Sequence, residues 1–399
     1  MSKTIIPIAA QGDGAPGILA PPPLALYVHI PWCVRKCPYC DFNSHELRGD
    51  LPQAEYINAL IADLESALPQ IWGRPVSSVF IGGGTPSLFM PEAYDTLLAA
   101  VRARVSLLPD AEITLEANPG TVEARKFEGF HAAGINRISI GIQSFDDDKL
   151  KALGRIHSAD ETKRAIDIAQ QHFDNINLDL MYGLPQQTLE QSRRDIETAL
   201  AFATPHLSAY HLTLEPNTPF HHAPPPLPDD DLSADMQEMV ETTLAAAGFE
   251  HYETSAFAKP NHRCKHNLNY WTFGDYLGIG AGAHGKLTSH LGVVRETRRK
   301  QPRDYLQAAA CGEFALERCN VSAGELPFEF MMNALRLCEG FQTRLYAERT
   351  GLALAGIQKL LLAAQGEGLL NVSAEHIAPT ARGQRFLNTL LRRFLPDDE

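Results

Sequence analysis

The sequence predicts an α/β fold, in which a partial (β/α)6, TIM-like barrel is followed by a smaller, mostly helical C-terminal domain. Short runs rich in β-branched residues alternate with longer amphipathic runs from Leu24 to about Pro216, as parallel βαβ crossovers require. The chain has 399 residues, which is too many for one ordinary hydrophobic core. Beyond about residue 321 the apolar residues recur with helical spacing.

Six strands and five helices are predicted in the first half of the chain. The predicted strands are Leu24–Ile30, Ser78–Ile81, Glu112–Glu116, Arg137–Ile140, Ile176–Met181 and Leu207–Leu214. The predicted helices are Gln53–Leu68, Pro91–Val105, Val122–Gly134, Ser158–His172 and Leu189–Phe202. Pro91 suits the first turn of a helix and Gly134 suits a helix end.

Four segments follow from this pattern. Residues 1–23 are predicted to be a flexible tail, since Gln11–Pro23 is rich in Gly, Ala and Pro. Residues 24–220 form the barrel. Residues 221–320 begin with a proline-rich linker and continue as a Gly- and aromatic-rich segment, which is expected to lie close to whatever ligand or substrate the protein binds. Residues 321–399 form the helical domain, for which a winged-helix arrangement is one candidate.

The composition excludes several classes of protein. A formal net charge of −13 and a pI near 5.6 argue against nucleic-acid binding, which depends on neutralising phosphates with Lys and Arg. No apolar run approaches the roughly 20 residues that span a bilayer, so no transmembrane segment is expected. No signal-peptide pattern is visible, and the seven cysteines are too sparse for a secreted disulfide scaffold. A cytoplasmic protein is therefore expected.

Three of the cysteines lie within eight residues, directly after the first predicted strand. Cys33, Cys37 and Cys40 are spaced so that one loop can wrap an iron–sulfur cluster, which thiolates hold. Three local thiolates leave one of four irons without a protein ligand, and an open coordination position is where a metal does chemistry. The alternative is a zinc site completed by His29 or His45. The other four cysteines are interpreted as small buried hydrophobes.

Further polar residues follow later strands, at the end of a barrel where active sites lie. Gly82–Thr85 follow the second strand, and glycines there let the backbone approach a ligand, although a plain strand–helix turn would look alike. Glu116 ends the third strand; its alternative role is a helix-entry carboxylate. Arg155 suits a carboxylate partner, and Asp179 is a charge in an otherwise apolar strand.

The segment Cys33-Val-Arg-Lys-Cys37-Pro-Tyr-Cys40 resembles the C-x-x-x-C-x-x-C motif of the radical S-adenosylmethionine (SAM) superfamily. The preceding Tyr27-Val-His-Ile-Pro is similar to the HemN/HemW group, which contains oxygen-independent coproporphyrinogen III dehydrogenases and their haem-chaperone relatives. The resemblance covers roughly residues 24–394 and implies a barrel of the radical SAM type. It also implies that Cys33, Cys37 and Cys40 hold a [4Fe–4S] cluster whose fourth iron binds SAM.

The resemblance further implies a set of SAM-binding residues strung along the strand ends. This set is Tyr27, Tyr39, Gly83, Gly84, Thr85, Glu116, Gln143, Arg155 and Asp179. Tyr210 is a further candidate for the same pocket. No catalytic residue is assigned.

Two features favour the haem-chaperone branch of the group. Phe42 stands where the dehydrogenase has an additional cysteine, and few residues precede the first strand. His266-Asn-Leu-Asn-Tyr270 is similar to the HNxxY motif of the chaperones, which implies that His266 and Tyr270 contact haem. Histidine and tyrosine are both known axial ligands of haem iron. The alternative for His266 is a loop histidine with satisfied hydrogen bonds.

The sequence therefore predicts a protein that binds haem and passes it to an unidentified acceptor protein. If the acceptor is membrane-bound, the contact is expected to be transient. The rival hypothesis is a coproporphyrinogen III dehydrogenase that decarboxylates its substrate oxidatively to protoporphyrinogen IX, so whether the chain is an enzyme stays open. A zinc-holding scaffold or winged-helix regulator is the third, weaker hypothesis.

Overall fold

The structure is a computed structural model, and it describes residues 17–18, 20–120 and 124–396. Most of the predicted tail, residues 1–16 and 19, lies outside the described residues, as do the first positions of the helix predicted at Val122. Just before the first strand, the carbonyl of Pro22 accepts a hydrogen bond from Arg74 at 2.6 Å and that of Pro23 from the backbone N–H of Asp275 at 2.9 Å. The chain is therefore held against the body of the protein at this point.

Seventeen strands are found in the described residues. In chain order they are β1 Leu24–Ile30, β2 Trp32–Cys33, β3 His45–Glu46, β4 Pro75–Gly83, β5 Ser106–Ala117, β6 Arg137–Gln143, β7 Ile176–Tyr182, β8 His206–His211, β9 Glu250–Glu253, β10 Ala256–Ala258, β11 Asp275–Ile279, β12 His284–Ser289, β13 Gly292–Arg298, β14 Ala315–Asn320, β15 Phe341–Gln342, β16 Leu370–Val372 and β17 His376–Pro379.

Fifteen α-helices accompany them in the same residues. They are α1 Gln53–Ala67, α2 Pro91–Arg104, α3 Phe127–Ala132, α4 Asp147–Ala152, α5 Ala159–Ala169, α6 Leu189–Ala201, α7 Pro219–His222, α8 Asp230–Ala246, α9 Lys265–Trp271, α10 Pro302–Ala308, α11 Leu326–Ala334, α12 Thr343–Thr350, α13 Gln358–Gly366, α14 Ala381–Arg385 and α15 Leu387–Leu391. None of the described helices is long and apolar enough to span a bilayer.

The main sheet has twelve strands in the order β14-β13-β12-β11-β1-β4-β5-β6-β7-β8-β10-β9. The six predicted strands, β1, β4, β5, β6, β7 and β8, lie side by side in chain order and are parallel, which confirms the α/β prediction. The sheet also contains strands that the sequence did not predict. β11 is a seventh parallel strand on the outer side of β1, and antiparallel strands extend both ends. No hydrogen bonds join the two end strands within the part of the chain that the structure describes.

The parallel strands have one apolar face and one polar face. Residues 113 and 115 of β5 are buried Ile and Leu that pack with the helices, whereas Glu112, Thr114 and Glu116 point to the concave side. Successive side chains of a strand point to opposite faces, so one strand supplies both surfaces. The same alternation on β4, β6 and β7 gives the concave face a polar lining. A functional site is therefore expected inside the curve of the sheet.

A second hydrophobic core lies in the C-terminal part of the chain. It is built from α11 to α15 and the three-stranded sheet β15-β17-β16, with Phe330, Tyr346 and Leu361 among its buried residues. Phe273 and Val293 belong to the same core, so it reaches back to the edge of the main sheet. The predicted helical character of this region is confirmed. The segment boundaries at residues 220/221 and 320/321 stay predictions.

A buried ion pair fixes α1 to the extension of the main sheet. The carboxylate of Asp63 accepts from Arg298 Nε at 2.8 Å, from Tyr305 Oη at 2.8 Å and from the backbone N–H of Gly280 at 3.2 Å. Both side chains of the pair are at most 4% exposed. A charge buried at this depth is stable only while its partners remain in place.

We expect Asp63→Ala to lower the free energy of unfolding by about 3–5 kcal/mol, because it leaves the Arg298 guanidinium buried without its main partner. Urea unfolding of the anaerobic protein, followed by circular dichroism, measures this. The control is Lys163→Ala, which removes an exposed pair with Asp160 and should change nothing measurable. Equal unfolding midpoints for the two variants would show that the buried pair does not hold the sheet extension.

Candidate functional site

A cavity of about 360 Å³ opens where the parallel strands of the main sheet end. Its volume lies in the range of small-molecule and cofactor sites. Most of the residues predicted from the sequence line it. These residues are Cys33, Cys37, Tyr39, Cys40, Gly83, Gly84, Thr85, Glu116, Gln143, Arg155 and Asp179. Tyr210 lines it as well, whereas Tyr27, His266 and Tyr270 do not.

The three cysteines reach the cavity on a loop that is closed at its base. Cys33 ends β2, which pairs in parallel with β3, and its carbonyl accepts from the backbone N–H of Leu47 at 2.8 Å. Lys36 Nζ donates to the carbonyls of Phe42 and Ser44 across the loop, at 3.0 and 3.2 Å. These bonds hold the loop so that all three thiols face the same space.

The glycine turn after β4 packs directly on the segment that leads to Cys33. The backbone N–H groups of Gly84 and Thr85 donate to the carbonyls of Ile30 and Trp32, both at 2.7 Å. A Cβ on Gly84 would lie 2.6 Å from the Trp32 oxygen. Gly83 has φ +113°, and a Cβ there would lie 2.5 Å from the His29 ring. The glycines are therefore required by the packing of the cysteine segment, a reason that the sequence did not indicate.

His29 connects the cysteine loop to the interior of the sheet. Its Nε2 donates to the Asn43 carbonyl at 2.9 Å, and burial lowers the pKa of His29 to about 4. The ring is therefore neutral, so Nδ1 is the acceptor for the Tyr27 hydroxyl at 2.9 Å. Both nitrogens are committed to hydrogen bonds. His29 is thus not available as a fourth zinc ligand, whereas His45, the other candidate from the sequence, has a buried Nε2 with no hydrogen-bond partner among the described residues.

Two carboxylates face the cavity from neighbouring parts of the concave face. Glu116 Oε2 accepts from the backbone N–H of Gly83 at 3.0 Å, and Asp179 accepts from Ser139 Oγ and Asn177 Nδ2, both at 2.8 Å. Burial, with a smaller contribution from the Asp179 charge, raises the pKa of Glu116 to about 7. Burial also raises the pKa of Asp179. Glu116 is therefore poised to change its charge near neutral pH.

Arg155 is anchored at the cavity wall beside Cys37. Its Nη2 donates to Asn118 Oδ1 at 2.8 Å and to the Gly141 carbonyl at 2.6 Å, while Nη1 lies 3.8 Å from Cys37 Sγ. Asn118 in turn donates to Thr85 Oγ1 at 3.0 Å. Asn118 was not among the predicted site residues, although its position two residues after Glu116, at the end of the same strand, indicates a place at the cavity. Gln143 has φ +66°, which re-aims its side chain at the end of β6.

The predicted haem residues lie at the opposite end of the concave face. His266 is on α9 and is 2% exposed; its Nδ1 is hydrogen-bonded to Ser78 Oγ at 3.0 Å. Its ring stacks on Phe80 at 5.0 Å and meets Tyr270 edge-on at 5.0 Å. Ser78 is five residues before Gly83 on β4, or roughly 16 Å along the strand. Tyr27 lies between the two ends, with its ring 6.4 Å from His266.

Two interpretations of the sequence need correction. His266 is not a loop histidine with satisfied hydrogen bonds, because it is helical and its buried Nε2 has no hydrogen-bond partner among the described residues. Cys311 and Cys319 are exposed and Cys338 is half-buried, so only Cys264 is the buried small hydrophobe that was expected of all four. Cys311 follows α10, and Cys319 lies on the edge strand β14, all of whose residues are exposed.

Comparison with known proteins decides the family. The model of the radical SAM superfamily matches residues 27–199, and that of the HemN C-terminal domain matches residues 321–386. The Heme chaperone HemW of Escherichia coli (strain K12) is 50% identical over 378 residues, which cover 94% of this chain and 99% of that protein. The chain belongs to the HemW family of radical SAM proteins.

More distant relatives agree with this assignment. The Heme chaperone HemW of Bacillus subtilis (strain 168) is 34% identical over 377 residues, which cover 92% of this chain and 98% of that protein. Coproporphyrinogen III oxidase (HemN) from Escherichia coli, a radical SAM enzyme, matches in structure with a TM-score of 0.79 at 23% identity, over 94% of this chain and 90% of that chain. The HemN match shows the fold of the HemW-family chain, and the predicted HemN/HemW group is confirmed.

Membership of the HemW family within the radical SAM superfamily makes a [4Fe–4S] cluster and SAM the cofactors of the chain. The residues present fit both groups. Three thiols, the ligands that iron–sulfur clusters prefer, face one cavity together with paired carboxylates, an arginine and open glycine backbone. Among the described residues, no three His, Cys, Asp or Glu side chains are arranged to hold a single metal ion. The cavity thus offers the ligand type that the cluster of this family requires.

We expect Gly83→Ala to lower the iron and sulfide content of the reconstituted protein several-fold. The new Cβ would collide with His29 at a backbone angle that disfavours alanine, and His29 holds the cysteine loop through Asn43. Iron and sulfide assays after anaerobic reconstitution measure the effect. Gly356→Ala, where nothing lies within 4 Å of the added atom, is the matched control. Full cluster content in Gly83→Ala would contradict this role of the turn.

We expect Glu116→Gln to stabilise the cofactor-free protein above pH 7 by on the order of 1–3 kcal/mol, since each unit of pKa shift corresponds to about 1.4 kcal/mol. The pKa of Glu116 is raised in the folded state, so the folded chain binds a proton that the unfolded chain has lost between about pH 4.5 and 7. Wild-type stability should therefore fall through this window relative to the variant. Urea unfolding at pH 5 and pH 8 tests it, and parallel pH curves would contradict it.

Proposed function

We propose that this chain is a haem chaperone, which binds haem and transfers it to an acceptor protein. The observation that carries the proposal is identity of 34% to 50%, over nearly the whole of both chains, with proteins named Heme chaperone HemW. Phe42 supports it. This side chain stands where the dehydrogenases have a further cysteine, and it lies 57% exposed on the cavity wall.

We propose that Cys33, Cys37 and Cys40 ligate the cluster and that the remaining cavity residues hold SAM. SAM bound there would complete the coordination of the fourth iron and would supply the radical chemistry of the family. Arg155 is placed beside Cys37 as a fixed cation for a carboxylate, and Glu116 as an anion for a cationic group. Gly83, Gly84 and Thr85 line the cavity beside the cysteine loop, while Tyr39, Gln143 and Asp179 complete the walls. Tyr27 does not line the cavity, and its proposed contribution is indirect: its hydroxyl donates a hydrogen bond to His29, which holds the cysteine loop.

The proposed haem ligand is Nε2 of His266. Burial, with the Arg137 charge, lowers the pKa of His266 to about 3, so the imidazole is neutral and able to ligate iron. Within the described part of the chain, its Nε2 has no hydrogen-bond partner, while Nδ1 is hydrogen-bonded to Ser78. Tyr270 packs on His266 from one side and on Tyr276 from the other, at a centroid distance of 4.2 Å. These aromatic rings suit a porphyrin face.

The acceptor is proposed to be a separate protein whose identity the chain does not reveal. We also propose that the protein works in the cytoplasm, and that a membrane-bound acceptor would be contacted only transiently. These proposals are consistent with the acidic composition and with the lack of a membrane-spanning helix among the described residues.

We expect His266→Ala to weaken haem binding at least about tenfold, the scale on which loss of a metal-site residue acts. Titration of haemin into the reconstituted chain, followed by the Soret band, measures it. His290→Ala, at an exposed histidine in the turn between β12 and β13, should bind as the wild type does. The cluster absorption band reports whether each variant is folded. Equal binding by His266→Ala and wild type would exclude His266 as the ligand.

The dehydrogenase hypothesis predicts a different outcome. Reduced protein incubated with SAM and coproporphyrinogen III would form protoporphyrinogen IX, whereas a chaperone leaves the substrate unchanged. We expect no conversion. Product formation by the wild type, lost in Cys37→Ser, would overturn the chaperone proposal.

A further inference from the structure

Helix α9 closes the end of the concave face that lies opposite the cavity. It packs on the starts of β1 and β4 and against α11 of the C-terminal core. His266 projects from it into the barrel, onto Phe80 and Ser78. In this position Nε2 is enclosed by protein on every side. A porphyrin iron cannot reach that atom unless the helix moves.

A single buried carboxylate holds the first turn of α9 in place. Glu112, on the concave face of β5, accepts from the backbone N–H groups of Lys265 and His266, both at 3.2 Å, and from Cys264 Sγ at 3.4 Å. Hydrogen bonds to an ionised acceptor are stronger than neutral ones. Glu112 is only 6% exposed, so solvent does not compete for these bonds. Glu112 is therefore the main polar attachment of the α9 N-terminus to the barrel.

Residues with left-handed backbone angles lie on both sides of the helix. Asn261 has φ +69° and Phe273 has φ +54°. Asparagine adopts this conformation readily, but for a bulky side chain such as Phe it is a strained outlier. Phe273 is 1% exposed and is held by Phe330 of the C-terminal core and by Lys286, whose Nζ lies 4.1 Å from the ring centroid. The segment between Asn261 and Phe273 is thus bounded on both sides by a residue at which a hinge can form.

We propose that residues 262–272 form a gate, which Glu112 latches and whose opening exposes His266 Nε2 to haem iron. The inference rests on the proposed haem site and adds the movement that the site requires. Glu112 acts as a positioning residue, because it holds the peptide backbone that carries His266 and does not itself touch haem. The gate releases His266 from Ser78 and Phe80 while the far side of α9 keeps its contacts with the C-terminal region, where Arg336 lies 5.1 Å from the Trp271 ring.

The first test is the rate of haem association. Glu112→Gln keeps the size and the acceptor oxygen but removes the charge, so the latch should weaken and haem should associate about three- to tenfold faster. The Soret maximum of the loaded protein should not change, because the ligand is the same. The matched control is Glu197→Gln, the same chemical change at an exposed position of α6, which should leave the rate as in wild type. Stopped-flow mixing of haemin with the cluster-containing chain measures both.

The second test is hydrogen exchange in the full chain with and without haem. The amides of residues 265 and 266 should be protected without haem, as Glu112 accepts from both, and should exchange faster once haem is bound. Haem binding that depends on His266 but leaves these amides protected, with a wild-type rate in Glu112→Gln, would overturn the gate and leave the proposed function standing. Failure of the wild type to bind haem at all would overturn the proposed function and the gate together.

Discussion

The structure depends on one constraint, the two-residue period of the parallel strands. On β5, Ile113 and Leu115 pack against helices, and the residues between them must point into the curve of the sheet. Because those residues are Glu112, Thr114 and Glu116, each buried carboxylate needs partners from neighbouring strands or from a helix. Glu116 accepts a hydrogen bond from the glycine turn after β4, and Glu112 accepts one from the N-terminus of α9. One strand thereby organises both ends of the barrel interior.

The two ends are linked by a short chain of packed side chains. The cysteine loop is held through Asn43 by His29, and His29 accepts from Tyr27. Tyr27 in turn stacks with Phe80, with 6.3 Å between ring centroids, and the His266 ring lies 5.0 Å from Phe80 and 6.4 Å from Tyr27. The cysteine loop and the helix carrying His266 are therefore in contact with the same group of aromatic side chains.

Much of the cavity was predictable, because residues at the carboxyl ends of parallel strands must meet at one edge of the sheet. Cys33, Glu116 and Asp179 needed only the strand pattern and their position within it. The location of His266 was not predictable, because it depends on the pairing of β11 with β1, which join residues about 250 positions apart in the chain. The role of Asn118 was hidden for the same reason, since its partners Thr85 and Arg155 lie on other loops.

The separation of the two sites bears on the chemistry that the chain supports. A radical derived from SAM would form at the cavity, beside Cys37 and Gly83. In this structure the His266 ring lies on Ser78, five residues before Gly83 on β4, or roughly 16 Å away by strand length. Hydrogen abstraction requires reacting atoms about 3–3.5 Å apart. The His266 ring is not within that distance of the cavity, and this separation agrees with the proposed role of the chain as a carrier of haem.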